Sequence, residues 1–131
     1  MTDEKQIEVL RSNFRQHVGK CIKKNFELKE NGLCFRFNRL SINKIGCIKS
    51  VRNSVKNGFT PEQHFEAAEN ILDLFEYSKV MEQHYEKKPA RTETCYLCIS
   101  QITDNVYAWM NVVTWGNNDG YIDLYLSREA E

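Results

Sequence analysis

Residues 94–127 read TCYLCISQITDNVYAWMNVVTWGNNDGYIDLYLS, and they predict a three-strand antiparallel meander. The runs 95–102, 106–115 and 121–126 are rich in strand-forming residues. The connections 103–105 and 116–120 contain Asp, Asn and Gly, which tolerate positive φ angles. Because successive side chains of a strand point to opposite faces, the pattern also divides the meander into two faces of different character.

One predicted face is mainly aliphatic and suits a core beneath helices. Its members are Cys95, Leu97, Ile99, Val106, Ala108, Met110, Val112, Ile122, Leu124 and Leu126. The other face takes six of the chain's eight Trp and Tyr residues, namely Tyr96, Tyr107, Trp109, Trp115, Tyr121 and Tyr125. A sheet needs only one buried face, so the aromatic face is predicted to be a partner-binding surface.

Two helices and a hairpin are expected before residue 59. Apolar residues at spacings of three and four over 7–21 indicate an amphipathic first helix. An Asn-Gly pair at 31–32 then predicts a hairpin between the runs 25–29 and 33–38. A second helix is expected over 42–56, although Gly46 in its interior costs about 1 kcal/mol relative to Ala.

A third helix has the clearest start signal. Thr60-Pro61-Glu62-Gln63 is a capping box with proline at the first helical position, and the helix is expected to run to about Tyr85. Five carboxylates recur along it without a basic residue between them: Glu62, Glu66, Glu69, Asp73 and Glu76. This acidic stripe is either a solvated helix face or a surface that pairs with basic residues, of another molecule or of the chain's own second helix.

These elements predict one α+β domain over residues 1–131, in the order α-β-β-α-α-β-β-β. The hairpin and the meander are expected to form an antiparallel sheet of about five strands, covered by about three helices. The order of elements is similar in layout to profilin-like and PAS-like sensor folds, and to cone-shaped folds of the nuclear-transport-factor type. The length is sufficient for a hydrophobic core without disulfides or metal.

Composition indicates a cytoplasmic protein. No run approaches the roughly 18 apolar residues that a membrane span needs, and five cysteines, an odd number, favour reduced thiols over a disulfide framework. The net charge of zero conceals a division: residues 1–58 hold 13 Lys and Arg against 5 Asp and Glu, and residues 59–131 hold 5 against 13. One half can therefore present a single-sign surface to a partner, or the two halves can neutralise each other.

Motifs for catalysis, metal or cofactor binding are weak. Cys95 and Cys98 have C-x-x-C spacing, but positions three apart in a strand point to opposite faces, so no shared metal is expected. The three histidines, His17, His64 and His84, fall on predicted helices and form no ligand pair, and the isolated glycines form no phosphate-binding loop. We therefore expect no enzymatic activity, no cofactor and no bound metal.

The sequence favours a non-enzymatic binding protein of the adaptor, inhibitor or immunity-factor type, which acts through contacts with another protein or with itself. One alternative is a pocket for a small ligand, with or without weak enzymatic activity. A second is single-stranded nucleic acid binding, for which only the basic N-terminal half supplies the charge. The aromatic face is also explained if the chain's own N-terminal segment covers it.

Overall fold

The structure, a computed structural model, describes residues 4–116 and 119–130, apart from the side chain of residue 35. Its helices are α1 Glu4–Val18, α2 Arg39–Ile45, α3 Ile48–Lys56, α4 Pro61–Ala68 and α5 Ile71–Glu76. Its strands are β1 Asn25–Glu27, β2 Cys34–Arg36, β3 Lys79–Lys87, β4 Thr92–Thr103, β5 Val106–Trp115 and β6 Asp119–Ser127. None of these helices combines the length and the apolar content needed to cross a membrane.

The predicted meander is confirmed as strands β4, β5 and β6 of a four-stranded antiparallel sheet with the order β3-β4-β5-β6. The α+β class and the placing of helices before the sheet are also confirmed. The N-terminal hairpin forms as predicted, but β1 and β2 make a separate two-stranded sheet. The main sheet takes its remaining strand from residues 79–87, which were expected to be helical. Residues 117 and 118 of the second connection lie outside the described part of the chain.

The predicted second helix is interrupted at Gly46, which separates α2 from α3. The carbonyl oxygen of Gly46 accepts a hydrogen bond from Nε of Arg11 in α1, at 2.6 Å. A Cβ atom at this position would lie 3.1 Å from Cγ of Arg11. The glycine therefore allows α1 to approach closely and to bind a carbonyl that the break leaves free.

The capping box at the start of α4 is confirmed in both directions. Oγ1 of Thr60 accepts from the backbone N–H of Gln63 at 3.1 Å, and the Gln63 side chain accepts from the Thr60 N–H at 2.8 Å. The predicted continuation to Tyr85 is wrong, because the helix breaks after Ala68 and α5 ends at Glu76. Residues 79–87 instead pair with one edge of β4. This pairing satisfies backbone groups of β4 that would be unpaired if residues 79–87 followed their local helix propensity.

The hydrophobic core lies between the helices and the face of the sheet that carries Met110, Val112, Ile122 and Leu124, which we call the inner face. Aromatic side chains fill the space around it: Phe26 stacks on Phe37 with ring centroids 5.0 Å apart. The opposite side of the sheet, which we call the outer face, is not covered by these helices.

A buried chain of hydrogen bonds joins the helices to strand β6. The backbone N–H of Leu126 donates to Oγ of Ser54 at 2.9 Å, and Ser54 Oγ lies 2.8 Å from Nδ1 of His64. Nε2 of His64 lies 2.8 Å from the carbonyl oxygen of Ile45, which can only accept. Nε2 of His64 therefore carries a proton. Because burial disfavours the charged ring, we assign His64 as the neutral imidazole, with the Ser54 hydroxyl donating to Nδ1.

Candidate binding surface

The outer face carries the aromatic residues of β5 and β6. In the strand register Tyr107 lies opposite Ser127, Trp109 opposite Tyr125, and Trp115 opposite Asp119. Tyr121 lies opposite Val113 on the same face. The structure therefore brings together five of the six aromatic residues that the sequence grouped.

The sixth, Tyr96, lies on the inner face, so its predicted place on the aromatic surface is wrong. It is directly opposite Val112 and packs against the core. Cys95, Leu97 and Ile99, which were expected in the core, lie on the outer face instead, because Ile99 pairs with Trp109 and Cys95 with Val113. Strand β4 is thus turned over relative to the prediction.

Trp109 is on the predicted face but is only 5% exposed. Its Nε1 donates to the carbonyl oxygen of Glu129 at 2.9 Å. The C-terminal segment, residues 128–130, is held near the helices by Arg128, whose guanidinium lies 4.6 Å from the ring centroid of Phe59. The chain's own C-terminal segment therefore covers part of the aromatic face, and Trp109 is not available to a partner.

Part of the outer face forms a concave trough of about 600 Å³, bounded by the junction of α2 and α3. Ionisable groups from β3, β4, β6, the β3–β4 connection and this junction line it: Lys44, Cys47, Lys49, Glu82, His84, Glu86, Lys88, Glu93, Cys95, Tyr121 and Asp123. Nζ of Lys44 lies 5.1 Å from the ring centroid of Tyr121. The trough is thus polar, and it carries both signs of charge.

One wall of the trough is a fixed ion pair. Glu93 is 8% exposed, and its Oε2 accepts from Nε and Nη2 of Arg91 at 3.0 and 2.9 Å. The guanidinium of Arg91 also lies 3.5 Å from the ring centroid of Trp115. These contacts compensate for the burial of the carboxylate and order the end of the β3–β4 hairpin.

The opposite wall contains Asp123. Burial raises the pKa of its carboxyl group, while hydrogen bonds from Ser50 Oγ and from the backbone N–H of Leu124 act in the other direction. These bonds measure 2.6 and 2.7 Å. Asp123 is therefore a structural group that ties α3 to β6.

The two edges of the main sheet differ sharply. Along β6, side chains form hydrogen bonds with successive backbone groups. The amides of Asn38 and Asn57 donate to the carbonyl oxygens of Gly120 and Leu126. Side-chain oxygens of Ser41, Asp123 and Ser54 accept from the N–H groups of Ile122, Leu124 and Leu126. Within the described residues, the corresponding bond on β3 is from Val80 N–H to the Glu30 carboxylate, at 2.6 Å. The β3 edge is otherwise open, and its residues from Met81 to Lys87 are exposed.

The predicted acidic stripe is divided between α4 and α5 by the break at Glu69–Asn70. Its first member, Glu62, accepts a hydrogen bond from Gln6, and its last, Glu76, pairs with Lys29 at 3.6 Å. Its other members are Glu66, Glu69 and Asp73. Within the described part of the chain, none of the five carboxylates pairs with Lys49, Arg52 or Lys56; Arg52 pairs with Glu4 instead. The stripe is not a single helix face, and its role as a partner surface stays a prediction.

The cysteines at 95 and 98 point to opposite faces, as predicted. Cys98 is buried in the core, and burial raises the pKa of its thiol to about 11. His84 lies on β3 and not on a helix, directly opposite Cys95. Sequence reasoning therefore missed the β3 residues of the trough, because it assigned them to a helix.

A scan against protein-family models found no matching family, and searches of curated proteins and of solved structures found no significant similarity. Function is therefore inferred from the geometry of the outer face and of the β3 edge.

Proposed function

We propose that this chain is a non-enzymatic binding protein, and that its partner is another protein that adds an extended segment to strand β3. The observation that carries the proposal is the contrast between the two sheet edges. The β6 edge is occupied by side chains from α2, α3 and their flanking residues, whereas β3 leaves a row of backbone donors and acceptors open. Proteins usually block such an edge, because an open edge pairs with another chain.

Exposed apolar side chains support a docking role for β3. Tyr85 is 70% exposed and Met81 is 41% exposed, and Tyr77, two residues before the strand, is 71% exposed. Large apolar side chains beside an open strand edge are costly unless a partner covers them. The half-buried aromatic residues Trp115, Tyr121 and Tyr125 of the outer face continue this surface across the sheet.

The side chains of β3 define the chemistry of the partner. Glu82, His84 and Glu86 point to the outer face, and Gln83, Tyr85 and Lys87 point to the other. Cross-strand pairs of opposite charge, or of an aromatic with a β-branched residue, each contribute about 0.2–1 kcal/mol. The expected partner segment therefore alternates basic residues with β-branched or aromatic ones. The same carboxylates disfavour the phosphates of nucleic acids.

A synthetic peptide that alternates lysine and valine is a direct probe, with a peptide that alternates glutamate and valine as its control. Fluorescence anisotropy should show that the lysine peptide binds about tenfold more tightly, since two charge pairs, with Glu82 and Glu86, amount to about 1.4 kcal/mol. Tyr85→Lys places a charge at the open edge and should abolish binding, whereas Val9→Lys, at an exposed position on α1, should not. Equal binding of both peptides, or unchanged binding by Tyr85→Lys, contradicts the proposal.

Self-association is tested with the same variants. If the partner is a second copy of the chain, light scattering should detect a concentration-dependent dimer that Tyr85→Lys removes and Val9→Lys retains. A monomer at all concentrations that still binds the lysine peptide indicates a different protein as partner.

The odd number of free thiols is consistent with a cytoplasmic location.

A second candidate function is binding of a small polar ligand in the trough, which is favoured by its volume of about 600 Å³. Ligand pockets typically measure about 300–1,000 Å³. Here charged groups of both signs converge, so a zwitterionic ligand fits better than an apolar one. A ligand of this kind should protect Cys95 in the trough from alkylation while leaving the alkylation of Cys34 unchanged.

A further inference from the structure

Pairing of β3 with β4 brings three different metal-ligating groups together on the outer face. His84 is directly opposite Cys95 in the register, and Glu86 lies two residues along β3 on the same side. A nitrogen, a carboxylate oxygen and the sulfur of these residues all lie within 4.8 Å of one another. We propose that His84, Glu86 and Cys95 form a site for a divalent transition metal of the zinc class.

The distances suit such an ion. Tetrahedral zinc binds nitrogen and oxygen at about 2.0 Å and sulfur at about 2.3 Å, so neighbouring ligand atoms lie about 3.3–3.6 Å apart. Nε2 of His84 and Oε1 of Glu86 are 3.4 Å apart. Both side chains are about half exposed, so they can rotate to bring Cys95 within range.

Neighbouring charges hold the carboxylate in a suitable orientation. Nζ of Lys88 lies 3.1 Å from Oε2 of Glu86, which leaves Oε1 directed towards His84. Partners of this kind orient metal ligands and raise affinity. Glu93, opposite Glu86 in the register, is neutralised by Arg91. A thiolate and one carboxylate would then balance the two positive charges of the ion.

The ligand set also selects the class of metal. A thiolate with an imidazole and a carboxylate favours zinc or cobalt over magnesium and calcium, which require oxygen ligands. Three protein ligands leave the fourth position open towards the trough, as in zinc sites that bind water or an exogenous group. This site uses Cys95 alone, since Cys98 points into the core.

Cobalt(II) is the appropriate probe, because a cobalt–thiolate bond gives a charge-transfer absorption in the near ultraviolet. The reduced, metal-free protein should bind one cobalt ion with this absorption, and zinc should displace the cobalt. Cys95→Ser should abolish the band, and His84→Gln or Glu86→Gln should weaken affinity by at least about tenfold. Cys34→Ser is the matched control, because Cys34 also lies on a strand beside a glutamate, with Sγ 4.0 Å from Glu27, and its loss should change nothing.

A simple ion pair between protonated His84 and Glu86 would give neither the absorption nor stoichiometric binding. The proposal is overturned if wild type shows no saturable binding of cobalt or zinc, or if Cys95→Ser keeps the band. Circular dichroism of each metal-free variant separates loss of a ligand from loss of the fold, and the exposed positions of His84 and Glu86 make their variants informative even if Cys95→Ser unfolds. The measurement uses the chain alone, so its failure does not bear on strand addition to β3.

Discussion

Acidification should destabilise the protein through His64. This side chain is fully buried on α4, and its two ring nitrogens contact Ser54 and the carbonyl oxygen of Ile45 at 2.8 Å each. Protonation would place a second N–H against the Ser54 hydroxyl, which already accepts from Leu126 and could no longer donate to the ring. The charged form would also lose its hydration in the core.

The expected magnitude follows from the proton affinity of the folded and unfolded chains. Burial lowers the pKa of His64 from 6.5 to about 4, against a smaller opposing effect of the bond to Ile45. Between these values the unfolded chain binds a proton and the folded chain does not. The stabilisation is therefore complete above pH 6.5 and is lost as the pH falls to about 4. At 1.36 kcal/mol per pKa unit, the loss is about 3 kcal/mol, a large part of a typical total of about 5–15.

Urea denaturation at several pH values should compare wild type with His64→Gln. The variant should be less stable at neutral pH, because it loses buried hydrogen bonds. The difference in the free energy of unfolding between the two proteins should then shrink by about 3 kcal/mol as the pH falls to about 4. Stability curves that stay parallel across this range would refute the reasoning, as would an NMR titration that places the midpoint of His64 near 6.5.

Three further changes test the packing around the outer face. Gly120→Ala should lower stability by about 1–3 kcal/mol in urea denaturation, because its Cβ would collide with a carbonyl oxygen of β5, whereas Gly19→Ala, with open space around it, should have little effect. Arg91→Ala should cost at least about 1 kcal/mol by leaving Glu93 without its partner, and adding Glu93→Gln should recover part of the loss; no recovery would contradict the pairing. In a Trp115→Phe background, removal of the C-terminal segment, residues 128–130, should increase the quenching of Trp109 fluorescence by iodide. Unchanged quenching would show that the segment does not cover Trp109.

The features that the sequence predicted correctly are those set by local patterns. The middle strand of the meander has the predicted bounds, Val106–Trp115, because strand formers and turn residues alternate clearly there. The start of α4 follows from the reciprocal hydrogen bonds of Thr60 and Gln63, which need no tertiary partner. The break at Gly46 was not among them: one helix was expected over 42–56, and the low helix propensity of Gly46 and its close contact with Arg11 divide it into α2 and α3.

The orientation of β4 could not be predicted, because both of its faces are apolar. Tyr96 and Cys98 on one side compete with Leu97 and Ile99 on the other, so hydrophobicity does not select a face. The register shows an irregularity between Gln101 and Thr103. An extra residue there reverses the alternation relative to β5, and every side chain of β4 exchanges faces.

Strand β3 was missed for a related reason. Met81, Glu82 and Gln83 favour helix locally, and the carboxylate spacing that begins on α4 continues to Glu76. Pairing with β4 determines the strand, and this long-range contact leaves no local signal. The candidate metal ligands and the proposed docking edge both lie on this strand, so the misassignment concealed them together.

The basic half of the sequence contributes lysines to only one side of the trough. Lys44 and Lys49, from the basic half of the chain, reach the trough only along the β6 side, where α2 and α3 pack. On β3, Glu86 pairs with Lys88 and His84, and within the described residues Glu82 has no ion pair. Helices α2 and α3, which carry these lysines, lie along the opposite edge of the sheet. Strand β3 itself is balanced in charge, with Lys79 and Lys87 against Glu82 and Glu86, but Glu82 on its outer side is left for a basic side chain of an extended partner or for a cation.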